Sequence, residues 1–505
     1  MSASLLLSWR DGVLASPAEE GGVRVEGEGA GTRMILRPVP AVADALFRLA
    51  PPGEDEDRLS DLVLAAGPKA LAGWYYALQV LAGRGLVCRS VWASGRRLAT
   101  LLPASPSFTV AEAAVSLGRR YRLSRFAYLR REGDALLLES PLAHARVVLH
   151  DSRVAALVLA LASPLTAQDL VARVCDLPAE AVPLLLVLLA AGGMVDDADP
   201  AGVDAGRVLS SRDAWEFHDL LFHARSRRGR CDAPSGATYR LAGRMELPPA
   251  VKPAPAGELY RLSRPDLEKL QVEDPPLSWV MGHRRSVREY GARPLSARQL
   301  GEFLYRVARI QDEQDVVIQT PHGPMPMAIA ARPYPSGGAL YELEFYAAIA
   351  ACDGLDPGLY YYEPRDHGLI RIGGSPAELK CLLRDAADSA GIPEDTVQVL
   401  LVLAARVPRI SWKYASIAYA LILKHVGVVY QTMYLAATAM GLAPCALGCG
   451  DSDAFARAAG TDYYDETSVG EFLLGSLRDP KGPAATDILN EPSPETGAVE
   501  PPPSR

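Results

Sequence analysis

Between Ala415 and Met440 the apolar positions Leu421, Ile422, Val429, Met433, Ala436 and Met440 recur at helical spacing, with no proline and one internal glycine, Gly427. Gly441, with Pro444 behind it, marks the predicted stop. A helix this apolar must be covered on most sides. Ahead of it, 397–405 is a strongly apolar run leading to Trp412, Lys413 and Tyr414. The stretch 340–349 alternates as a strand, 359–363 and 369–372 read as two more, 376–387 reads as a helix, and Ser296 is placed to cap another. In the first half, strands at 23–25 and 34–36 precede helices at 43–49 and 71–81; strands at 135–139 and 146–150 precede helices at 154–161 and 182–191. The order repeats, and so do short phrases: MILRPVPAVADALFRLA is echoed by VVLHDSRVAALVLALA, and LAGRGLV by LAAGGMV. Strand pairs with a few small helices fit a winged-helix architecture.

These patterns divide the 505 residues into two small winged-helix-like domains (1–95 and 107–198), a helix and Pro-rich connector (199–276), a larger domain (277–478), and a tail (479–505) with no apolar periodicity, expected to be disordered. The connector is expected to hold a helix over 211–223, with Trp215, His218 and Phe222 on one face, running into Arg225, Arg227, Arg228 and Arg230. Pro248, Pro249, Pro253 and Pro255 follow.

A formal charge of −8 argues against a general nucleic-acid surface, and the N-terminal helices are too apolar for major-groove binding. An exposed strand edge there suits an extended peptide better. The seven cysteines, at 88, 175, 231, 352, 381, 445 and 449, include no CxxC pair, and MSASLLLSWRDG lacks a basic leader; reduced thiols in a cytoplasmic protein are expected. No apolar run reaches the length of a membrane span, and no metal site is assigned, Cys445 and Cys449 having no histidine near them in sequence. Gly27, Gly29 and Gly31 imitate a dinucleotide fingerprint, but extended residues follow, so a hairpin turn is expected.

Two stretches carry candidate chemistry. Arg284, Arg285, Ser286 and Arg288 offer guanidiniums and a hydroxyl suited to an oxyanion, because arginine presents a rigid fork to phosphate oxygens. Pro335, Ser336, Gly337 and Gly338 form a turn whose glycines would let a flat ligand lie against the backbone. Lys413 and Tyr414 are able to move protons, although the residues alone favour reading Lys413 as a lysine snorkelling from a core helix.

The order RRSVREY, PYPSGGALYELEFY, GLYYYE, then WKY and its helix resembles the SagB-type peptide dehydrogenases, the thiazoline/oxazoline dehydrogenases of the nitroreductase superfamily, over residues 277–477. FHDLLFHARSR and KHVGVVYQTMYLAATAMGLAPCALG resemble the branch associated with thiopeptide and related azole-peptide clusters. The resemblance implies an α+β fold, with a nitroreductase-like FMN domain built on a central antiparallel sheet flanked by helices, preceded by the two winged-helix-like domains. It implies a homodimer with FMN at the interface, and oxidation of azolines in a ribosomally made precursor peptide to azoles, with molecular oxygen as final acceptor. A cyclodehydratase partner fits the same setting; nucleic acid and membrane do not.

By motif match, Arg284 and Ser286, with Arg285 beside them, would hold the flavin phosphate, and Arg288 would face the pyrimidine end of the ring system. Pro335, Ser336, Gly337 and Gly338 would lie along the rings, and Ala446, Leu447 and Gly448 would approach N5. Lys413 and Tyr414 match the family's catalytic pair. Where relatives carry an arginine-bearing segment and a Gly-His pair, this chain has Ser416 to Ala420, SIAYA, and Gly427 followed by Val428; His425 and Gln431 are the stand-ins, with core hydrogen bonding their plainer role. A generic FMN nitroreductase or NAD(P)H oxidoreductase would share fold and FMN without needing Lys-Tyr, and a peptide-binding adaptor would need neither.

Overall fold

In the computed structural model, residues 3–27, 33–109, 115–198 and 210–478 are described, and the tail expected to be disordered lies outside them. The chain forms two compact units, 1–235 and 236–505.

In the first unit, a seven-stranded sheet runs in the order Glu54–Asp55, Ser4–Trp9, Val87–Ala93, Arg96–Pro103, Ala145–Leu149, Ala135–Glu139, Tyr128–Glu132. Arg96–Pro103 pairs on one side with Val87–Ala93 and on the other with Ala145–Leu149. The boundary expected between 95 and 107 therefore cuts a hairpin, because the strand's backbone groups are satisfied by both segments. The echoed phrases share one turn. Leu86 N–H donates to Leu81 O (3.0 Å) and Met194 N–H to Leu189 O (2.9 Å), across Gly85 and Gly193, each at φ +68°. Leucine, small residues and a left-handed glycine dictate the same helix end twice. Strand Val23–Gly27 pairs with Arg33–Leu36; Gly29 and Gly31, expected in a hairpin turn, lie outside the described residues.

The connector is divided rather than independent. Its helix, Phe217–Arg225, starts later than expected, Trp215 lies ahead of it, and it belongs to the first unit, whereas 236–276 belongs to the second. There the proline strip is fastened to the core. Arg406 donates to Pro249 O (2.7 Å) and Ala250 O (3.1 Å), Arg409 to Pro248 O (2.5 Å) and Ala328 O (3.1 Å), and Lys252 pairs with Glu466 (2.5 Å). Prolines leave carbonyls without strand partners, and buried guanidiniums satisfy them.

The second unit is built on an antiparallel sheet in the order Leu259–Arg261, Gly368–Arg371, Gly358–Glu363, Leu343–Ile349, Val399–Arg406, Glu466–Ser476, Leu442–Ala446. One face packs on helices Ala297–Ala308 and Ala418–Ala439, the other on Pro376–Ala390 and Ser452–Ala459. This is the expected α+β layering. Being covered on both faces, Leu343–Ile349 and Val399–Arg406 are buried at every position, so the alternation expected over 340–349 gives way to a shorter strand buried throughout. Ser296 caps its helix in a reciprocal box with Gln299. The long helix spans Ala418–Ala439, three residues inside its expected start, because Tyr414–Ala415 is held extended against Gly236–Ala237. Among the described residues no helix is long and apolar enough to cross a membrane.

Candidate active site

The sheet and the long helix bring the sequence candidates together in two groups. The first forms where helix Leu277–His283 ends, beside Tyr434. Ser286 Oγ lies 2.6 Å from the Tyr434 hydroxyl, which accepts from Ala446 N–H (2.8 Å), and the Arg284 guanidinium sits 5.1 Å from the Tyr434 ring centre. Val287 N–H donates to Pro444 O (2.8 Å), fixing RRSVR against strand Leu442–Ala446. Arg284, Arg285 and Arg288 have no ion pair with any described residue, which leaves their charge for an anionic ligand. This donor set fits a phosphate. Ala446 N–H is taken by Tyr434 and Leu447 N–H by Glu471 O (2.9 Å), so in the expected 446–448 segment Gly448 N–H has no partner among the described residues. Tyr434 joins three parts of this group and was missed in sequence, where it is one more apolar-face residue of a helix.

The second group surrounds Lys413, the last residue of helix Val407–Lys413. Its side chain is buried, with 9% of the residue exposed, and its ammonium has neither counter-ion nor hydrogen-bond acceptor among the described residues. Burial pulls its pKa below the usual lysine range. Burial, and to a lesser degree the Tyr239 phenol, pushes Tyr414 above the usual range. Opposite stands the glycine turn. A Cβ on Gly338 would lie 2.5 Å from Lys413 Nζ and 2.7 Å from the Tyr414 hydroxyl, and Gly338 has φ +63°, so only glycine lets the turn approach this pair. Gly337 N–H donates to His425 Nε2 (2.8 Å), and His425 Nδ1 lies 2.6 Å from Glu342, which is fully buried. Because Nε2 accepts from an amide, the proton on the ring belongs at Nδ1, facing the carboxylate. Ser336 Oγ reaches Glu342 (3.3 Å) and accepts from Tyr341 N–H (3.0 Å).

His425 thus has the core-satisfying role and also anchors the turn. Pro335 is exposed beside it. Gln431 is exposed on the long helix and bonds to none of the other candidates. Strain gathers here: of the seven described non-glycine residues with positive φ, Tyr239, Ala339, Tyr341 and Ser416 belong to this neighbourhood. The exposed trio Glu216, His218 and Asp219 is the cluster of possible metal-ligand groups among the described residues, and it is remote in sequence from every candidate above.

The second unit thus places an anion cradle and a lysine facing a glycine turn on an all-antiparallel sheet between helical layers, and its family match makes it an oxidoreductase domain of the nitroreductase class. Residues 281–476 match the nitroreductase family, whose members typically bind flavin, and residues 121–232 match the cyanobactin oxidase ThcOx. One chain thus carries a nitroreductase-family segment and, ahead of it, a segment similar to the cyanobactin oxidase ThcOx. "Putative nitroreductase MJ1384" of Methanocaldococcus jannaschii is 29% identical over 194 residues, covering 38% of this chain and 85% of that protein. Among solved structures, a nitroreductase-type chain from Anabaena variabilis shares 19% identity at a TM-score of 0.36, covering 51% of this chain; this chain spans 46% of that one. The E. coli microcin synthetase McbBCD complex, solved with truncated pro-MccB17 bound, shares 20% identity at a TM-score of 0.32, covering 51% of this chain and 91% of that one. A Desulfovibrio desulfuricans chain in complex with FMN shares 17% at 0.25, covering 44% and 99%. Scores this low carry no argument, and the assignment rests on the family matches.

Proposed function

We propose that this protein oxidises thiazoline and oxazoline rings in a ribosomally made precursor peptide to thiazoles and oxazoles, with FMN as its cofactor. The observation that carries the reading is Lys413: an amine without a counter-ion at the end of a largely buried residue, beside Tyr414 and pressed against Gly338, is suited to taking a proton. Aromatising an azoline removes a proton from the ring α carbon and a hydride from the β carbon. FMN would supply the two-electron acceptor for that hydride. Lys413, neutral, takes the α proton; Tyr414, protonated at neutral pH, donates a hydrogen bond to the ring or to Lys413 and so orients the substrate. Arg284, Arg285, Ser286 and Arg288 would hold the cofactor phosphate, and Gly337 and Gly338 would accept a flat ring.

One helix, Ala418–Ala439, contributes a residue to each group, His425 to the lysine group and Tyr434 to the anion cradle. His425 and Tyr434 are nine residues apart, which at 1.5 Å and 100° per residue separates them by about 13.5 Å along the axis, on opposite sides. A homodimer would join the anion cradle of one copy to the lysine group of the other. Tyr419, Leu423 and Val428, apolar and more than a third exposed on this helix, favour that second copy. The first unit, which holds the ThcOx match, would bind precursor peptide along a strand edge. Cytoplasmic location and work alongside a cyclodehydratase complete the reading.

The test is mass spectrometry of an azoline-bearing peptide after incubation with the protein, expected to show a loss of two hydrogens per ring. Lys413→Ala is expected to keep its flavin and make no azole; azole formation at the parental rate by that variant would refute the role of Lys413. A protein that reduces nitroaromatics with NAD(P)H and leaves azolines untouched would be a generic nitroreductase instead.

A further inference from the structure

Tyr239 lies in the stretch expected to be a connector, yet its backbone and ring are both fixed on the Lys413 group. Gly236–Ala237 forms a two-stranded ladder with Tyr414–Ala415. Tyr239 N–H then donates to Lys413 O (2.9 Å), and Tyr239 itself takes φ +52°. A bulky residue in the left-handed region costs of order 1 kcal/mol, so something must hold it there. Two contacts do. The Tyr239 ring meets Trp412 edge to face, with centres 5.9 Å apart at 85°, and Trp412 Nε1 donates to Met245 O (2.8 Å) a few residues along the same strip. The result puts the Tyr239 ring centre 5.7 Å from Lys413 Nζ, with the Tyr414 ring at 5.6 Å. The ammonium is thus bracketed by two aromatic rings and by the Gly338 turn.

We propose that Tyr239 is a positioning residue of the Lys413 site: its ring walls the ammonium off from water on the connector side and holds the Lys413–Tyr414 pair toward the glycine turn. The inference rests on the reading of Lys413 as the proton-taking group. Two effects of the ring oppose each other. A ring face near 6 Å favours the charged amine by less than about 1 kcal/mol at a partly exposed site, whereas excluding water disfavours it, and burial is the cause that lowers Lys413. Water exclusion therefore wins, and opening this wall raises the proton affinity of Lys413.

The seven lysines of the chain make this directly measurable. Trace acetylation with acetic anhydride between about pH 6 and 10, read by peptide mass spectrometry, gives the half-reaction pH of each lysine without flavin or substrate. Lys413 is expected to react at lower pH than the other six. Tyr239→Phe is expected to keep the parental midpoint, and Tyr239→Ala to move it up by about one unit toward the others. Should the alanine variant fail to fold, Tyr239→Gln, which brings a polar group and water to the same place, is expected to move it the same way. A parental midpoint in a folded alanine or glutamine variant overturns the proposal. If instead Lys413→Ala still makes azoles, the base assignment fails while the labelling result stands, so the two failures are told apart. Where azole formation is observed, the pH profile of kcat is expected to shift upward with the midpoint in Tyr239→Ala and to remain parental in Tyr239→Phe.

Discussion

At the scale of residues, the site depends on a few groups whose neighbours lie far away in sequence. The Tyr434 hydroxyl ties Ser286 to Ala446, 148 and 12 residues distant. Tyr434→Phe leaves the ring over which Arg284 sits and removes the tie, so flavin affinity is expected to fall about tenfold in a fluorescence titration, the worth of one hydrogen bond between polar groups; unchanged affinity would remove Tyr434 from the cradle. Lys413 was legible as a lysine ahead of a helix, and the resemblance of the surrounding motifs is what proposed it as the base. What sequence could not supply is its lack of a partner, since that depends on everything packed around it. The pH dependence follows: with its folded pKa below the usual value, Lys413 becomes a competent base as pH rises through that lowered pKa, before ordinary lysines deprotonate. The same mismatch makes an unfolded chain bind the proton more tightly, so folding is penalised below the lowered pKa and recovers as pH rises toward the usual lysine value.

At the scale of elements, apolar periodicity placed most of the helices and strands it called to within a few residues, because burial imposes its period whatever the neighbours are. Ser4–Trp9, Val87–Ala93 and Arg96–Pro103, three strands of the first sheet, were not singled out by it. It failed where tertiary covering changes the pattern. Leu343–Ile349 is a central strand and has no polar face, and the proline strip looked like a linker because its carbonyl acceptors are side chains of another element. Arg409 donates to Pro248 O and Ala328 O and also reaches Leu340 O. Arg409→Leu leaves these buried acceptors bare and is expected to cost about 2–4 kcal/mol in urea unfolding and to open 245–252 to limited proteolysis; parental resistance would show that the strip is held by other contacts.

For the whole molecule, the shared seven-stranded sheet makes 1–235 one unit where sequence suggested two domains and part of a connector. The homodimer reading predicts that Leu423→Asp with Val428→Asp yields a monomer in light scattering that has lost its flavin colour, both side chains being exposed and so tolerant of the change in a single copy. A flavin-loaded monomer would show that one copy suffices.

The sequence by itself determined the α+β class, the places of several major helices and the repeated helix-to-strand turn, and it named the Arg284–Arg288, Ser336–Gly338 and Lys413–Tyr414 groups as candidates, because periodicity, glycine geometry and side-chain chemistry are local properties. The tertiary structure alone decided that Pro248, 161 residues before Arg409, supplies one of its acceptors, that Tyr239 walls the lysine, that His425 and Glu342 anchor the glycine turn, and that Tyr434 joins the anion cradle. Each of these is a contact between distant segments, and which of many polar groups becomes buried beside which is settled only when the chain packs.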